Sequence, residues 1–329
     1  MRRSPPDQET PRPVKSWTVP RGQEAPRLDF FVRRCLPHLS LREARRAIEE
    51  RAFWINNRPA RKGDRLLAGD VLTLRGPEHW LSPAPLPEEN IEVPILYEDE
   101  FVLAVDKPAE MATHGFSGRQ KNTLANVLLA LRPSLRHVGK SSWEPGLVHR
   151  LDQGTSGIVL VAKNQITFEK LRFQFRRGLV KKKYWALAWG TPKREGAITY
   201  PLIHDPKNRS KMKALMVVKR GEFPEQTKIW KALTRFRVIG YAERFSLLEM
   251  ALETGVTHQI RAHLQTLGHP LVGDRLYGKN RPDPFGLGHQ FLHAFYLGFS
   301  HPESGEEVAI ESPLPPELRR ILGRLRINL

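Results

Sequence analysis

Apolar residues recur along this chain with two different periods, and the switch between them divides it. Leu28, Phe31, Val32 and Leu36 stand at helical spacing until Pro37 stops the run. Ser40-Leu41-Arg42-Glu43 reads as a capping box opening a second helix, with Leu41, Ala44, Ala47 and Ile48 as its apolar stripe. Phe53 to Ile55 follows as a strand, Asn56-Asn57 as its turn, and Val71 to Leu74 as an alternating strand entered through Gly69-Asp70. From Ile91 onward short, continuous apolar runs dominate: Ile95 to Tyr97, Phe101 to Val105, Ile158 to Ala162 and Tyr184 to Ala188. Such runs predict strands buried on both faces. Amphipathic helices are predicted over 122–131, 165–178 and 256–267. Adjacent strands with separate helices make this an α+β chain rather than a regular βαβ alternation.

These patterns set expected boundaries. Residues 1–26 hold six prolines and scattered apolar positions, which predicts an extended tail. Residues 27–75 make a small domain. Residues 76–90, with Pro77, Pro83, Pro85 and Pro87, read as a linker, and 91–329 as a larger domain.

Composition narrows the function. Of 329 residues, 40 % are hydrophobic, enough for a sizeable core. Lys and Arg number 53 against 35 Asp and Glu, a formal charge of +18. That excess predicts a polyanionic partner, most simply nucleic acid. Between Lys170 and Arg220 stand fifteen Lys and Arg opposed only by Glu195 and Asp205, so one stretch carries most of the excess. Cys35 is the only cysteine, which excludes a disulfide framework and any multi-cysteine metal site. No apolar run is long enough to span a bilayer, and the first residues lack the apolar core of a secretory signal. A soluble, cytoplasmic protein is expected, with no membrane contact.

Three motifs carry chemistry. The stretch His149-Arg150-Leu151-Asp152-Gln153-Gly154-Thr155-Ser156-Gly157 places a charged loop beside an apolar strand. A carboxylate there is either a nucleophile or base, or the anchor of a turn with Thr155 and Ser156 as its hydrogen bonders. In the second motif, Thr257 is expected to cap a helix bearing His258 and Arg261. Arg261 is either a structural ion pair or the buried partner of an essential carboxylate. His258 and His263 are five apart, wrong for a metal pair on one helical face, so no metal is expected. In the third, Lys181, Lys182 and Lys183 precede Tyr184. Cations for phosphate and a ring for stacking suit nucleic acid; a solvated lysine loop leading into a core strand fits equally.

The first motif resembles the signature of the RluA-type pseudouridine synthases, and the resemblance extends over residues 91–320. Asp106-Lys107-Pro108 with His114, Lys183-Tyr184 with Gly190, His258-Gln-Ile-Arg261, and Gly268-His-Pro-Leu-Val-Gly-Asp274 through Tyr277-Gly278 are similar to that family's further motifs in the same order. Leu292-His-Ala, His301-Pro and Pro313-Leu-Pro resemble its C-terminal end. Residues 27–75 resemble an S4 RNA-binding module. The resemblance implies a mixed, mainly antiparallel central sheet preceded by a small S4-like α/β domain. It implies isomerisation of uridine to pseudouridine in RNA, without a cofactor: uracil leaves C1′, turns, and reattaches through C5.

By the same resemblance Asp152 is the catalytic aspartate, Arg261 its partner and Tyr184 the ring that stacks on the target base. Arg150 fills the space left by the extruded base, Ile260 walls the pocket, and His149 and Thr155 line it. Arg33, Arg34, Arg42, Arg45 and Arg46 of the small domain, with Lys181, Lys182 and Lys183, are expected on phosphate. Asp152 acts at C1′ of the ribose, at C6 of the base, or by assisting a glycal path. Large-subunit ribosomal RNA is the first expectation for substrate and transfer RNA the second, with a monomeric protein. Val256 and Glu110 depart from the residues the family usually carries there, and Gln153-Gly154 from its commoner charged pair. None of these carries assigned chemistry. A non-catalytic RNA-binding or ribosome-assembly factor is the alternative. A nucleoside hydrolase ranks lower, because no second carboxylate is evident near Asp152.

Overall fold

A computed structural model describes residues 13–22, 26–76, 80–81, 85–115, 120–217, 224, 226–278 and 281–329. The described residues divide into two compact units, one up to residue 86 and one from residue 87.

In the first unit, β1 (Lys15–Thr18), α1 (Leu28–Cys35), α2 (Leu41–Glu49), β2 (Phe53–Ile55), β3 (Arg58–Pro59) and β4 (Val71–Leu74) follow in order. The Ser40 hydroxyl accepts from Glu43 N and the Glu43 carboxylate accepts from Ser40 N, so the capping box forms as its sequence predicts. The strands pair in the order β1-β4-β2-β3. Two expected boundaries are corrected. Lys15–Thr18 lies in the stretch predicted as tail, yet it pairs antiparallel with β4 and brings Val19 into the core. Trp80 lies in the predicted linker and is buried in the same core. Both errors have one cause: prolines mark where regular structure breaks, not where packing ends. Residues 1–12, with Pro77 and Pro83, lie outside the described residues.

The second unit is built on a nine-stranded sheet. Its elements are β5 (Ile95–Glu98), β6 (Val102–Lys107), α3 (Leu124–Leu131), β7 (Ser156–Ala162), α4 (Gln165–Arg177), β8 (Lys181–Trp189) and β9 (Glu195–Ile198). There follow β10 (Leu202–Asp205), β11 (Asn208–Ala214), β12 (Thr234–Ala242), β13 (Phe245–Leu252), α5 (Gln259–Thr266), β14 (Leu292–Ser300), β15 (Glu307–Glu311) and α6 (Pro316–Leu325). The sheet runs β5-β6-β7-β14-β8-β13-β12-β9, with β15 beside β14, while β10 and β11 form a separate hairpin. Within the sheet only β7 and β14 pair parallel, so it is mixed and mainly antiparallel.

The continuous apolar runs become strands buried on both faces. Val159 and Val161 of β7 pack into one core with α3 and α5, and Ile158, Leu160 and Ala162 into another with α4. α3 is predicted amphipathic but is nearly all buried, because the sheet covers one side of it and other chain segments the rest. At the parallel pair, Gly157 has φ +115°, and a Cβ there would collide with the Ala294 carbonyl. Glycine is therefore required for β14 to approach β7 at the end of the Asp152 loop. No helix among the described residues is long and apolar enough to cross a membrane.

Candidate active site

The loop before β7 carries Asp152, and its backbone is tied at both ends. Thr113 Oγ1 donates to the Leu151 carbonyl at 2.8 Å and accepts from Leu151 N at 3.2 Å. Thr155 N donates to the Asp152 carbonyl at 3.0 Å, closing the turn. Beneath the loop Lys107, fully buried at the end of β6, donates through Nζ to the carbonyls of Pro108, Met111 and Gln153. Burial pushes its pKa down to about 7, against the pull of the Asp152 and Asp106 carboxylates.

Arg261 on α5 reaches the same point from the other side of the cleft. Its Nη1 donates to Asp152 Oδ2 at 3.0 Å, while Nε and Nη2 fork onto Asp274 at 2.7 and 3.0 Å. Asp274 in turn accepts from the backbone N–H groups of Leu276 and Tyr277. Burial alone would lower the Arg261 pKa; the Asp274 bonds and the Asp152 charge outweigh it and raise it. The planar fork fits two carboxylates at once, which an ammonium cannot do. Asp152 Oδ1 accepts no hydrogen bond among the described residues and stays free for chemistry.

Tyr184 projects from β8 into the same cleft. Burial and the neighbouring Asp152 charge raise its pKa, so its hydroxyl stays protonated. Ile260, buried on α5, is a further wall. Arg150 is exposed and donates to Thr257 Oγ1 at 2.9 Å, bridging the Asp152 loop to the start of α5. The cleft encloses about 600 Å³ and is lined by Asp152, Tyr184, Arg261, Lys182 and Arg172 among others. That lies in the usual range, ~300–1,000 Å³, for sites taking a small molecule or one flipped residue. Among the described residues no three His, Cys, Asp or Glu side chains converge as a metal site requires.

Several expectations change. α5 begins at Gln259, three residues later than predicted, and its cap position is His258 rather than Thr257. His258 has φ +56°, so the helix cannot extend back through it, and Thr257 is turned to Arg150 instead. His149 and Thr155 line the cleft, but their polar groups are committed to structure. His149 Nε2 accepts from Leu160 N, its ring stacks on Phe175, and burial pushes its pKa down to about 3. Thr155 Oγ1 accepts from Gln290. The three lysines do not form one patch, because they lie on a strand and alternate in direction. Lys182 is buried beside the cleft, donates to the Thr254 carbonyl, and has a pKa pushed down to about 8 by burial. Lys181 and Lys183 point the other way, toward Glu307 at 3.4 Å and Glu249 at 3.7 Å.

In the first unit Arg33, Arg34 and Arg42 are exposed with no carboxylate partner among the described residues. Arg45 and Arg46 are instead paired, with Asp29 and Glu50, each at 2.8 Å. Sequence alone assigns no role to Lys107 or Asp274, although both stand in the motifs named above. A buried charge at the centre of a site announces itself only through its neighbours in space.

Comparison with known proteins agrees with this geometry. The family model described as RNA pseudouridylate synthase matches residues 101–266, and the S4 domain model matches residues 26–72. The chain belongs to the RNA pseudouridylate synthase family and carries an S4 domain ahead of the catalytic unit. It is 38 % identical to the ribosomal large subunit pseudouridine synthase D of Neisseria meningitidis, covering 94 % of this chain and 82 % of that protein. It is 36 % identical to an uncharacterized RNA pseudouridine synthase of Synechocystis, covering 94 % and 91 %. Among solved structures, Human RNA Pseudouridylate Synthase Domain Containing 4 aligns with a TM-score of 0.57 and 25 % identity, covering 71 % of this chain and 94 % of that one.

Proposed function

We propose that this chain converts uridine to pseudouridine in large-subunit ribosomal RNA, with Asp152 as the attacking group. The observation that carries the reading is the Asp152–Arg261–Asp274 array, buried except at Asp152, beside Tyr184 in a nucleotide-sized cleft. A target uridine is extruded from its stack, at a cost of a few kcal/mol, and enters that cleft. Asp152 acts at C1′ of the ribose while Arg261 holds its Oδ2 by a hydrogen bond and aims the other oxygen into the cleft. An Asp152 oxygen bonds to C1′ as the C1′–N1 bond breaks, uracil turns against the Tyr184 ring, and C5 then bonds to C1′ as the Asp152–C1′ bond breaks and releases the carboxylate. C5 loses a proton and N1 gains one, so atoms and electrons balance without a redox partner. Arg150, exposed at the cleft mouth, takes the place of the extruded base. Ile260, His149 and Thr155 shape the wall, the last two through their rings and methyl groups rather than free polar atoms.

Ribosomal RNA as substrate rests on the names of relatives such as the Neisseria protein. Arg33, Arg34 and Arg42 of the S4 domain supply phosphate contacts, with Lys182 at the cleft itself. The protein works in the cytoplasm as a monomer. The test is pseudouridine mapping of total RNA from cells with and without this protein, rescued by wild type or by Asp152→Asn. Loss of large-subunit sites, restored by wild type alone, is the expected result. Lost sites confined to transfer RNA would overturn the substrate. No lost site anywhere would favour the non-catalytic RNA-binding alternative.

A further inference from the structure

His258 lies at the heart of the cleft, yet the chemistry above does not use it. Its backbone is held at φ +56°, a left-handed conformation that a histidine rarely adopts, and its side chain is 17 % exposed. Strain of this kind persists where the surroundings over-determine a residue, and it clusters at functional sites. The ring is set edge-on to Tyr277, with centroids 5.6 Å apart.

Tyr277 anchors the Nδ1 side of the ring. Its hydroxyl accepts from Met212 N at 2.7 Å, and its single hydrogen has both the Met212 carbonyl and His258 Nδ1 within reach, each 3.1 Å away. Nε2 faces the cleft and lies 3.8 Å from Asp152 Oδ2, too far for a bond between them. Burial lowers the His258 pKa, with Arg261 and Arg150 acting the same way and the Asp152 and Asp274 carboxylates opposing, so the ring stays neutral. Nε2 thus faces the same space as the Asp152 carboxylate and has no protein hydrogen-bond partner among the described residues.

We propose that His258 Nε2 hydrogen-bonds the 2′-hydroxyl of the target ribose, a group that both donates and accepts, and so makes the site selective for ribonucleotides. The inference rests on the proposed action of Asp152 at C1′. The 2′-hydroxyl sits on the carbon bonded to C1′. A ring nitrogen beside the Asp152 carboxylate therefore meets that hydroxyl when Asp152 meets C1′. This hydroxyl is also the group by which a protein tells RNA from DNA at a given position. Tyr277 is the positioning residue: it ties the Nδ1 side of the ring to Met212 on β11.

The test uses the full-length protein and the RNA fragment found by mapping, made with uridine or 2′-deoxyuridine at the target. The deoxy RNA serves as competitor against turnover of the ribo RNA, so it reports whether or not it reacts. In the wild type the deoxy competitor is expected to bind about tenfold more weakly than the ribo substrate. His258→Asn keeps a polar group toward Tyr277, removes the polar atom at the Nε2 position, and suits the left-handed backbone. It is expected to bind both RNAs alike, with an unchanged melting temperature. His258→Gln returns an oxygen near the Nε2 position and is expected to recover part of the gap. A wild-type gap that survives in His258→Asn, or no gap in the wild type, overturns the proposal. A wild type that forms no pseudouridine overturns the reading of the site itself, which is a separate observation.

Discussion

Arg42 and Arg261 carry the same guanidinium in opposite settings. Arg42 stands exposed on a helix of the S4 domain with Arg33 and Arg34 nearby in sequence, and none of the three has a carboxylate partner among the described residues. Arg261 is buried, with three of its nitrogens bonded to two carboxylates and its carbon 5.1 Å over the Tyr277 ring. An exposed cation acts at a distance, weakly, and is screened by salt. A buried one acts through geometry, and removing either partner leaves an uncompensated charge. The two units thus divide the labour of an RNA enzyme between adjustable attraction and fixed alignment.

That contrast is tested most severely at the buried end. Arg261→Leu leaves Asp274 buried without its fork, and is expected to cost ~3–5 kcal/mol of unfolding free energy along with all activity. Urea denaturation measures the first and pseudouridine formation the second; a loss under 1 kcal/mol would place the array nearer the surface than described. Arg261→Lys keeps the charge and loses the fork. It is expected to fold and to lose about 100-fold in turnover, the scale of loss that a misplacement of about 1 Å can cause; wild-type turnover would show that charge alone suffices.

Lys107 gives a pH test of intermediate size. Its pKa falls from 10.5 in the unfolded chain to about 7 when folded, so between those values the unfolded state binds the extra proton. Stability from this group therefore rises as pH climbs from about 7 toward 10.5. Comparing urea midpoints of wild type and Lys107→Met across that window isolates the slope. A difference that stays flat with pH would contradict the burial of the ammonium. The smallest expected effect lies at the exposed end. Replacing Arg33, Arg34 and Arg42 together with Gln is expected to change stability by under ~0.5 kcal/mol. The same change is expected to lower the slope of log affinity against log salt by up to ~0.7–0.9 for each phosphate no longer neutralised. An unchanged slope would make the three a solvated helix face.

The same contrast explains what is readable from the residues alone. The Ser40–Glu43 box is legible because it is closed within four residues, and the buried strands because their apolar runs are continuous. Asp152, Tyr184 and Arg261 are legible through resemblance, and their meeting in one cleft follows from a sheet that brings β7, β8 and β14 side by side. Lys107 and Asp274 stay silent because backbone carbonyls, the partners of Lys107, carry no residue identity, and because the Arg261 guanidinium reaches Asp274 only through the fold. The lysine triple misleads because composition carries no direction, whereas a strand sends alternate residues to opposite faces. His258 displaces Thr257 at the start of α5 because tertiary contacts override a local capping preference.

The parallel pairing of β7 with β14 also bears on when the site comes into being. The Asp152 loop leads directly into β7, whose register with β14 is set at Ser156–His293 and Gly157–Ala294. Closing that contact requires looping out everything between, including β8 and α5, which carry Tyr184 and Arg261. A chain emerging from the ribosome therefore displays its S4 domain long before it owns an aligned carboxylate. Attraction to RNA is acquired early in synthesis, and the power to alter it only near the end.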